Sequence, residues 1–154
     1  MRRILLITAV SFVVAIAGAG EVLTQPALST VGSPPADLAA QSVVLQTEDK
    51  SPISGWLVHG TPSSGAVLLV HGIRSNRKQM LSRARLLTKQ GYSVMLIDLP
   101  SHGESDGERM TFGIHEAEAV KSALSYLQRE FPDERLGVIG ISLGAASTVL
   151  ALTR

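Results

Sequence analysis

The chain has 154 residues, 45% of them apolar, a formal net charge of +1 and no cysteine. That length suits one domain and that composition supports a packed core, so a disordered chain is excluded. The near-neutral charge, without runs of one sign, excludes a basic nucleic-acid-binding surface, and the missing cysteines exclude disulfides, thiolate chemistry and cysteine-bearing zinc sites. Four histidines, His59, His71, His102 and His115, show no HxxxH or HExxH spacing, so no metal is expected.

Met1-Arg2-Arg3 is followed by an uncharged run from Ile4 to Gly20. A short basic start before an apolar run is the pattern of an export signal, and Ala15-Ile16-Ala17 and Ala17-Gly18-Ala19 each offer a small-x-small cleavage site. The run also reaches the lower edge of what spans a bilayer as a helix, so residues 1–20 read as a signal peptide or a membrane anchor. In both versions the basic end stays cytoplasmic and the remainder is exported, with a tether through residues 4–20 in the second. Residues 21–41 mix Pro26, Gly32, Pro34 and Pro35 with Ser, Thr and Ala, and read as a linker.

From Ser42 the pattern becomes regular. Ser42–Glu48 and Ile53–His59 read as a hairpin about Asp49-Lys50-Ser51-Pro52. Ala66–Val70, Ser93–Asp98 and Leu136–Ile141 are short continuous apolar runs, as expected of strands covered on both faces. Between them Arg77–Gln90 carries Met80, Leu81, Ala84 and Leu87 on one face, its basic residues reading as a solvated face, and Gly91 ends it. Ile114–Phe131 places Ala117, Val120, Leu124, Leu127 and Phe131 on one stripe and is closed by Pro132, and Leu143–Leu152 is a small-residue helix behind the last strand. Strands and helices that alternate in this way predict an α/β fold, a mostly parallel sheet with helices on both faces and right-handed crossovers.

Ligands collect at the carboxyl ends of such strands, and three unusual sequences fall there. They are His71-Gly72-Ile73, Asp98-Leu99-Pro100-Ser101-His102-Gly103-Glu104-Ser105, and Gly140-Ile141-Ser142-Leu143-Gly144. The last is a G-x-S-x-G between a strand and a helix, the context of a nucleophile elbow. A tight turn there strains the serine and lifts its hydroxyl clear of the sheet, and small flanking residues let strand and helix pass closely. A G-x-S-x-G in isolation is a common Gly/Ser turn; its position at the end of a buried strand separates the two readings.

With these three motifs in this order, the chain resembles the α/β-hydrolase superfamily, in particular its serine-aminopeptidase and monoglyceride-lipase-like branches, from Ser42 onward. The resemblance implies that residues 42–154 form the N-terminal half of that fold, with Ser142 as nucleophile. It also implies an oxyanion hole from the backbone N–H groups of Ile73 and Leu143. It assigns His71 and His102 to shaping the oxyanion loop and bracing the turn, and Asp98 to bracing its loop. His59 and His115 read as surface positions, and Glu116 either faces the site or is an exposed first-turn acid. The implied reaction is cleavage of an ester, thioester or amide by acyl transfer, on a small-molecule or peptide substrate, without metal or organic cofactor and without nucleic acid.

The family's acid and histidine follow the serine in the chain, whereas only twelve residues follow Ser142 here. The reading therefore expects a fragment that is inactive alone, a strand at Leu136–Ile141 left as an apolar edge, and a full protein ~100 residues longer. The alternative is a non-catalytic exported fragment or interaction protein that retains half of the fold. A nucleotide-binding domain is excluded, because neither G-x-G-x-x-G after the first strand nor G-x-x-x-x-G-K-[ST] occurs.

Overall fold

A computed structural model describes residues 2–153. Its centre is a five-stranded sheet of order β2-β3-β5-β4-β7. The strands are β2 (Gln41–Gln46), β3 (Pro52–Val58), β4 (Ala66–Val70), β5 (Ser93–Ile97) and β7 (Leu136–Gly140). β2 and β3 pair antiparallel, as do β3 and β5, while β4 lies parallel between β5 and β7. The hairpin and the three later strands thus fall where the sequence placed them, within one or two residues; β4 and β5 are buried throughout, whereas β7, at the edge of the sheet, is only partly covered.

Side-chain alternation along β4 and β5 builds two core layers. Leu68, Val70, Met95 and Ile97 point into one layer with Ala117, Val120 and Leu127 of α3 (Ile114–Glu130). Val67, Leu69, Val94 and Leu96 point into the other, with Trp56, Met80 and Ala84 of α2 (Leu81–Lys89) and the turn before it. Both faces of the central strands are therefore apolar, which is why these segments read as unbroken hydrophobic runs. The helix expected over Arg77–Gln90 divides into a 3₁₀ turn, Arg77–Met80, and α2. Asn76 caps the turn by accepting the Lys78 N–H at 3.0 Å. α4 (Leu143–Thr153) follows β7 after a turn of two residues, Ile141 and Ser142.

The segment before the hairpin differs from the expected linker. α1 (Arg2–Thr24) runs on past the apolar stretch. Then β1 (Ala27–Leu28) pairs in parallel with β6 (His102–Gly103), and Val31 and Leu38 are buried in the α2-side layer. Its prolines and small polar residues hide the contact because two strand residues and two isolated apolar side chains leave no periodicity to read.

Two further expectations are corrected. Arg77 is not on a solvated face but is buried. Its backbone N–H and its Nη1 each donate to Asp98 at 2.6 Å, its Nη2 bonds Glu104, and its guanidinium lies 4.7 Å from the Trp56 ring centroid. Glu116 neither faces the site nor is exposed: it is buried and accepts the N–H groups of Thr111 and Gly113 and the Thr111 hydroxyl, capping α3. Glu104 in turn accepts the N–H groups of Val31 and Gly32 at 2.9 and 2.8 Å, which ties the N-terminal segment down. Gly103, at φ +54°, admits no side chain, because a Cβ would lie 2.2 Å from an Asp98 carboxylate oxygen.

Removing one member of a buried ion pair leaves an uncompensated charge, so Arg77→Met is expected to cost about 3–5 kcal/mol in urea unfolding. Adding Asp98→Asn and Glu104→Gln to that variant should recover most of the loss. A loss below ~1 kcal/mol for Arg77→Met would place Arg77 with ordinary surface pairs instead.

Candidate active site

β7 ends at Gly140, and the chain turns through Ile141 and Ser142 into α4. The Ile141 N–H donates to Val70 O of β4 at 3.0 Å, which pins the turn to the sheet's carboxyl edge. Ser142 is exposed and takes φ +49°, a left-handed conformation that costs a non-glycine residue roughly 1–3 kcal/mol. The glycines on either side are obligatory. A Cβ on Gly140 would lie 2.6 Å from the Ala145 nitrogen, and one on Gly144 would lie 2.5 Å from the carbonyl oxygens of Val70 and His71.

The loop after β4 lies against this turn: a Cβ built on Gly72 would be 3.5 Å from Ser142 Cβ. Its shape is held from several sides. Gly72 N–H donates to Gln79 Oε1 at 2.7 Å, and Arg74 N–H donates to His102 Nε2 at 3.0 Å. Among the described residues, the backbone N–H groups of Ile73 and Leu143 have no hydrogen-bond partner. They belong to the two segments that meet at Ser142.

The two buried histidines are fully engaged by backbone. His71 Nε2 accepts the Leu99 N–H at 3.0 Å while its Nδ1 donates to Gly72 O at 2.7 Å. His102 accepts from Arg74 and donates through Nδ1 to Pro100 O at 2.8 Å. Each ring is therefore a neutral Nδ1–H tautomer with no nitrogen left for a serine hydroxyl. The rings are 5.2 Å apart and bridge the loops after β4 and β5, which is a bracing arrangement. Among the described residues no histidine or carboxylate bonds the Ser142 hydroxyl, and no group of three His, Asp or Glu side chains is placed to hold a metal. His59 and His115 are exposed.

Asp98 is buried behind this loop. Burial raises its pKa, while the N–H groups of Glu104 and Arg77 and the Arg77 guanidinium act to lower it. With a cation in contact and three donors on its oxygens, it is the carboxylate at neutral pH. Gln79, Arg74 and Arg77 were not singled out as loop-shaping residues from the sequence. Only Arg77 carried a signal: a cation at the first position of a helical segment opposes the helix dipole unless a carboxylate compensates it.

Burial, with smaller contributions from the neighbouring His102 and Arg77, lowers the His71 pKa from 6.5 to about 4. Between these values the unfolded chain binds the proton and the folded one does not, so stability rises with pH across that window. The contribution is complete above 6.5 and lost as pH falls toward 4, a change on the order of 3 kcal/mol. In His71→Gln, which keeps an acceptor for Leu99 without a titrating ring, the difference from wild type in urea unfolding should shrink as pH falls from 7 to 4 by about that amount. A difference that stays constant across the window would mean that His71 does not titrate with folding.

Comparison with known proteins fits this geometry. A family profile described as serine aminopeptidase, S33 matches residues 61–154. The uncharacterized protein YqkD of Bacillus subtilis is 29% identical over 101 residues, which cover 64% of this chain and 32% of that protein. Among solved structures, the Pyrococcus furiosus esterase Pf2001 superposes with a TM-score of 0.75 at 30% identity, over 84% of this chain and 53% of the esterase. The lidless α/β serine hydrolase XC6422 of Xanthomonas campestris shares the fold, with a TM-score of 0.61 at 19% identity over 77% of this chain and 58% of its own. The chain thus spans about half the length of these solved relatives and about a third of YqkD. Its sheet order, its left-handed serine between strand and helix and these matches agree on one conclusion: the chain belongs to the serine aminopeptidase S33 family and carries the N-terminal half of the α/β-hydrolase fold.

Proposed function

We propose that Ser142 is the nucleophile of a serine hydrolase that cleaves an ester, thioester or amide by acyl transfer. The observation that carries the reading is the strained, exposed Ser142 at the mouth of α4, flanked by the unpaired N–H groups of Ile73 and Leu143. In the proposed reaction Ser142 Oγ adds to the acyl carbon, and the carbonyl oxygen takes negative charge facing those two donors. The leaving group departs with the proton of the serine, and water then releases the acyl group and restores the hydroxyl. The esterase among the solved relatives favours an ester, although a peptide bond would use the same groups.

Both proton transfers need a general base. His71 and His102 cannot provide it, since each has both ring nitrogens bonded to backbone. Among the described residues no histidine or carboxylate bonds the Ser142 hydroxyl, so residues 1–154 alone should be nearly inactive. The same observation supports the second reading, a non-catalytic interaction protein that keeps half the fold. A fluorophosphonate probe on the natural protein, read by mass spectrometry, separates the two. Labelling at Ser142 with loss of ester hydrolysis in Ser142→Ala supports the enzyme, and hydrolysis by residues 1–154 alone should fall by ~10³-fold or more. A folded natural protein that does not label supports the interaction reading.

We further propose that α1 tethers the domain to a membrane, with the domain outside the cytoplasm. In support, Ile7–Thr24 has a mean hydropathy of 1.8 and no residue buried against the domain. The end of α1 is fastened to the domain: Arg109 donates to both carboxylate oxygens of Glu21 at 2.8 Å, Met110 N–H to Thr24 O at 2.8 Å, and Arg74 Nη2 to Val22 O at 2.7 Å. A tethered protein should stay in the membrane fraction after a carbonate wash and be digested by protease added outside intact cells. Release of a mature form lacking α1 would instead identify a cleaved signal.

A further inference from the structure

The loop that carries the Ile73 N–H is bonded on its outer side to the N-terminal segment. Arg74 Nη2 donates to Val22 O at 2.7 Å, and Asn76 Nδ2 donates to Ser29 Oγ at 3.1 Å. On the inner side the Arg74 N–H donates to His102 Nε2 at 3.0 Å. Between these anchors Arg74 takes φ +52°, a left-handed conformation that a non-glycine residue keeps only where its surroundings enforce it. Relaxation of that angle would turn Ile73 relative to the 3₁₀ turn at Arg77–Met80, and with it the N–H that faces the Ser142 turn.

The outer anchor is a fixed point. Val22 O is one of the last carbonyls of α1, where a helix has no further N–H of its own to offer and its dipole is negative. α1 has no basic residue in its last turn, so the positive charge there comes from the domain. Arg109 donates to both Glu21 oxygens at 2.8 Å and to Thr24 Oγ1 at 3.1 Å, and the Met110 N–H donates to Thr24 O at 2.8 Å. These bonds hold the end of α1 without Arg74. The Arg74 guanidinium therefore fastens the loop to the helix, where it offsets the strain at its own backbone.

We propose that the end of α1 belongs to the scaffold of the Ser142 site, with Arg74 as a positioning residue whose bond to Val22 O keeps the Ile73 N–H in place for the oxyanion. The catalytic part of this inference rests on Ser142 being the nucleophile, whereas the mechanical part does not, and two readouts separate them. In the full chain in detergent, NMR hydrogen exchange at the residue-74 amide requires no catalysis. It should quicken ~5-fold or more in Arg74→Ala and in Leu23→Pro. Leu23 is exposed, and a proline there drives Val22 out of the helical region, which moves its carbonyl without altering the loop. In the natural protein both variants should lower kcat for ester hydrolysis ~10-fold with KM little changed, because an oxyanion donor acts in the transition state. Arg74→Gly adopts φ +52° without strain, so it should recover most of that loss, and Leu23→Pro should cost nothing further in that background. Unchanged exchange in Leu23→Pro overturns the proposal. Equal kcat in the alanine and glycine variants, or a rise in KM alone, overturns it too. Quickened exchange in a natural protein that no fluorophosphonate labels would support the strut and overturn Ser142 as nucleophile.

Discussion

A guanidinium taken out of water costs several kcal/mol unless it is paired and hydrogen-bonded, and Arg77 makes three separate segments supply its partners. Asp98 comes from the end of β5, Glu104 from the loop beyond β6, and Trp56 from β3. Glu104 carries the constraint to the N-terminal segment through Val31 and Gly32, and Asp98 closes it by accepting the Glu104 N–H at 2.9 Å. None of these groups can move alone without stranding a charge. The loop from His71 to Asn76 is therefore held between β4 at one end and this cluster at the other, with His102 bonded to its middle.

The strain at Ser142 is sustained by backbone, not by side-chain bonds. Val70 O takes the Ile141 N–H, and the backbones of β4 and α4 pass so closely at Gly144 that nothing larger fits. Such a turn is as rigid as the sheet beneath it, which is how a serine can stay in a left-handed conformation. The sheet is least supported on that side. β7 borders it, Ile139 is 37% exposed, and Leu136 and Val138 join Leu124 and Leu152 along an open groove. An apolar edge beside the proposed nucleophile is a pairing liability until another segment covers it.

The parts legible in the sequence are those whose physics is local. Ala66–Val70 could be read because burial on both faces demands an unbroken apolar run, and Gly140 and Gly144 because close backbone approach excludes side chains. What could not be read are contacts made across long sequence distances by polar groups. Arg77 looks like an ordinary helix-start charge until its partners far along the chain, Asp98 and Glu104, are known. The pairing of β1 with β6 has the same cause: it involves two residues on each side, joined by Ala27 N–H to Ser101 O and Ser29 N–H to Gly103 O. For His71 and His102 the structural reading follows from the bonds themselves, because a ring with both nitrogens held by backbone has no proton to exchange with a neighbour.

Arg74 joins the N-terminal helix to this machinery. Its backbone N–H is fixed by His102, and its guanidinium caps the carbonyl of Val22 at the end of α1. The residue adjoining Ile73 thus bears one bond to the domain interior and one to the helix. Arg109 adds a second attachment to Glu21 from the loop preceding α3. Exposed ion pairs contribute little each, yet here they act with the Met110–Thr24 backbone bond and the β1–β6 pairing on one short stretch of chain. A force on α1 is therefore borne by the loops that carry Ile73 and Ser101 before it reaches the sheet, so how the helix is held and how those two loops are shaped are one structural question.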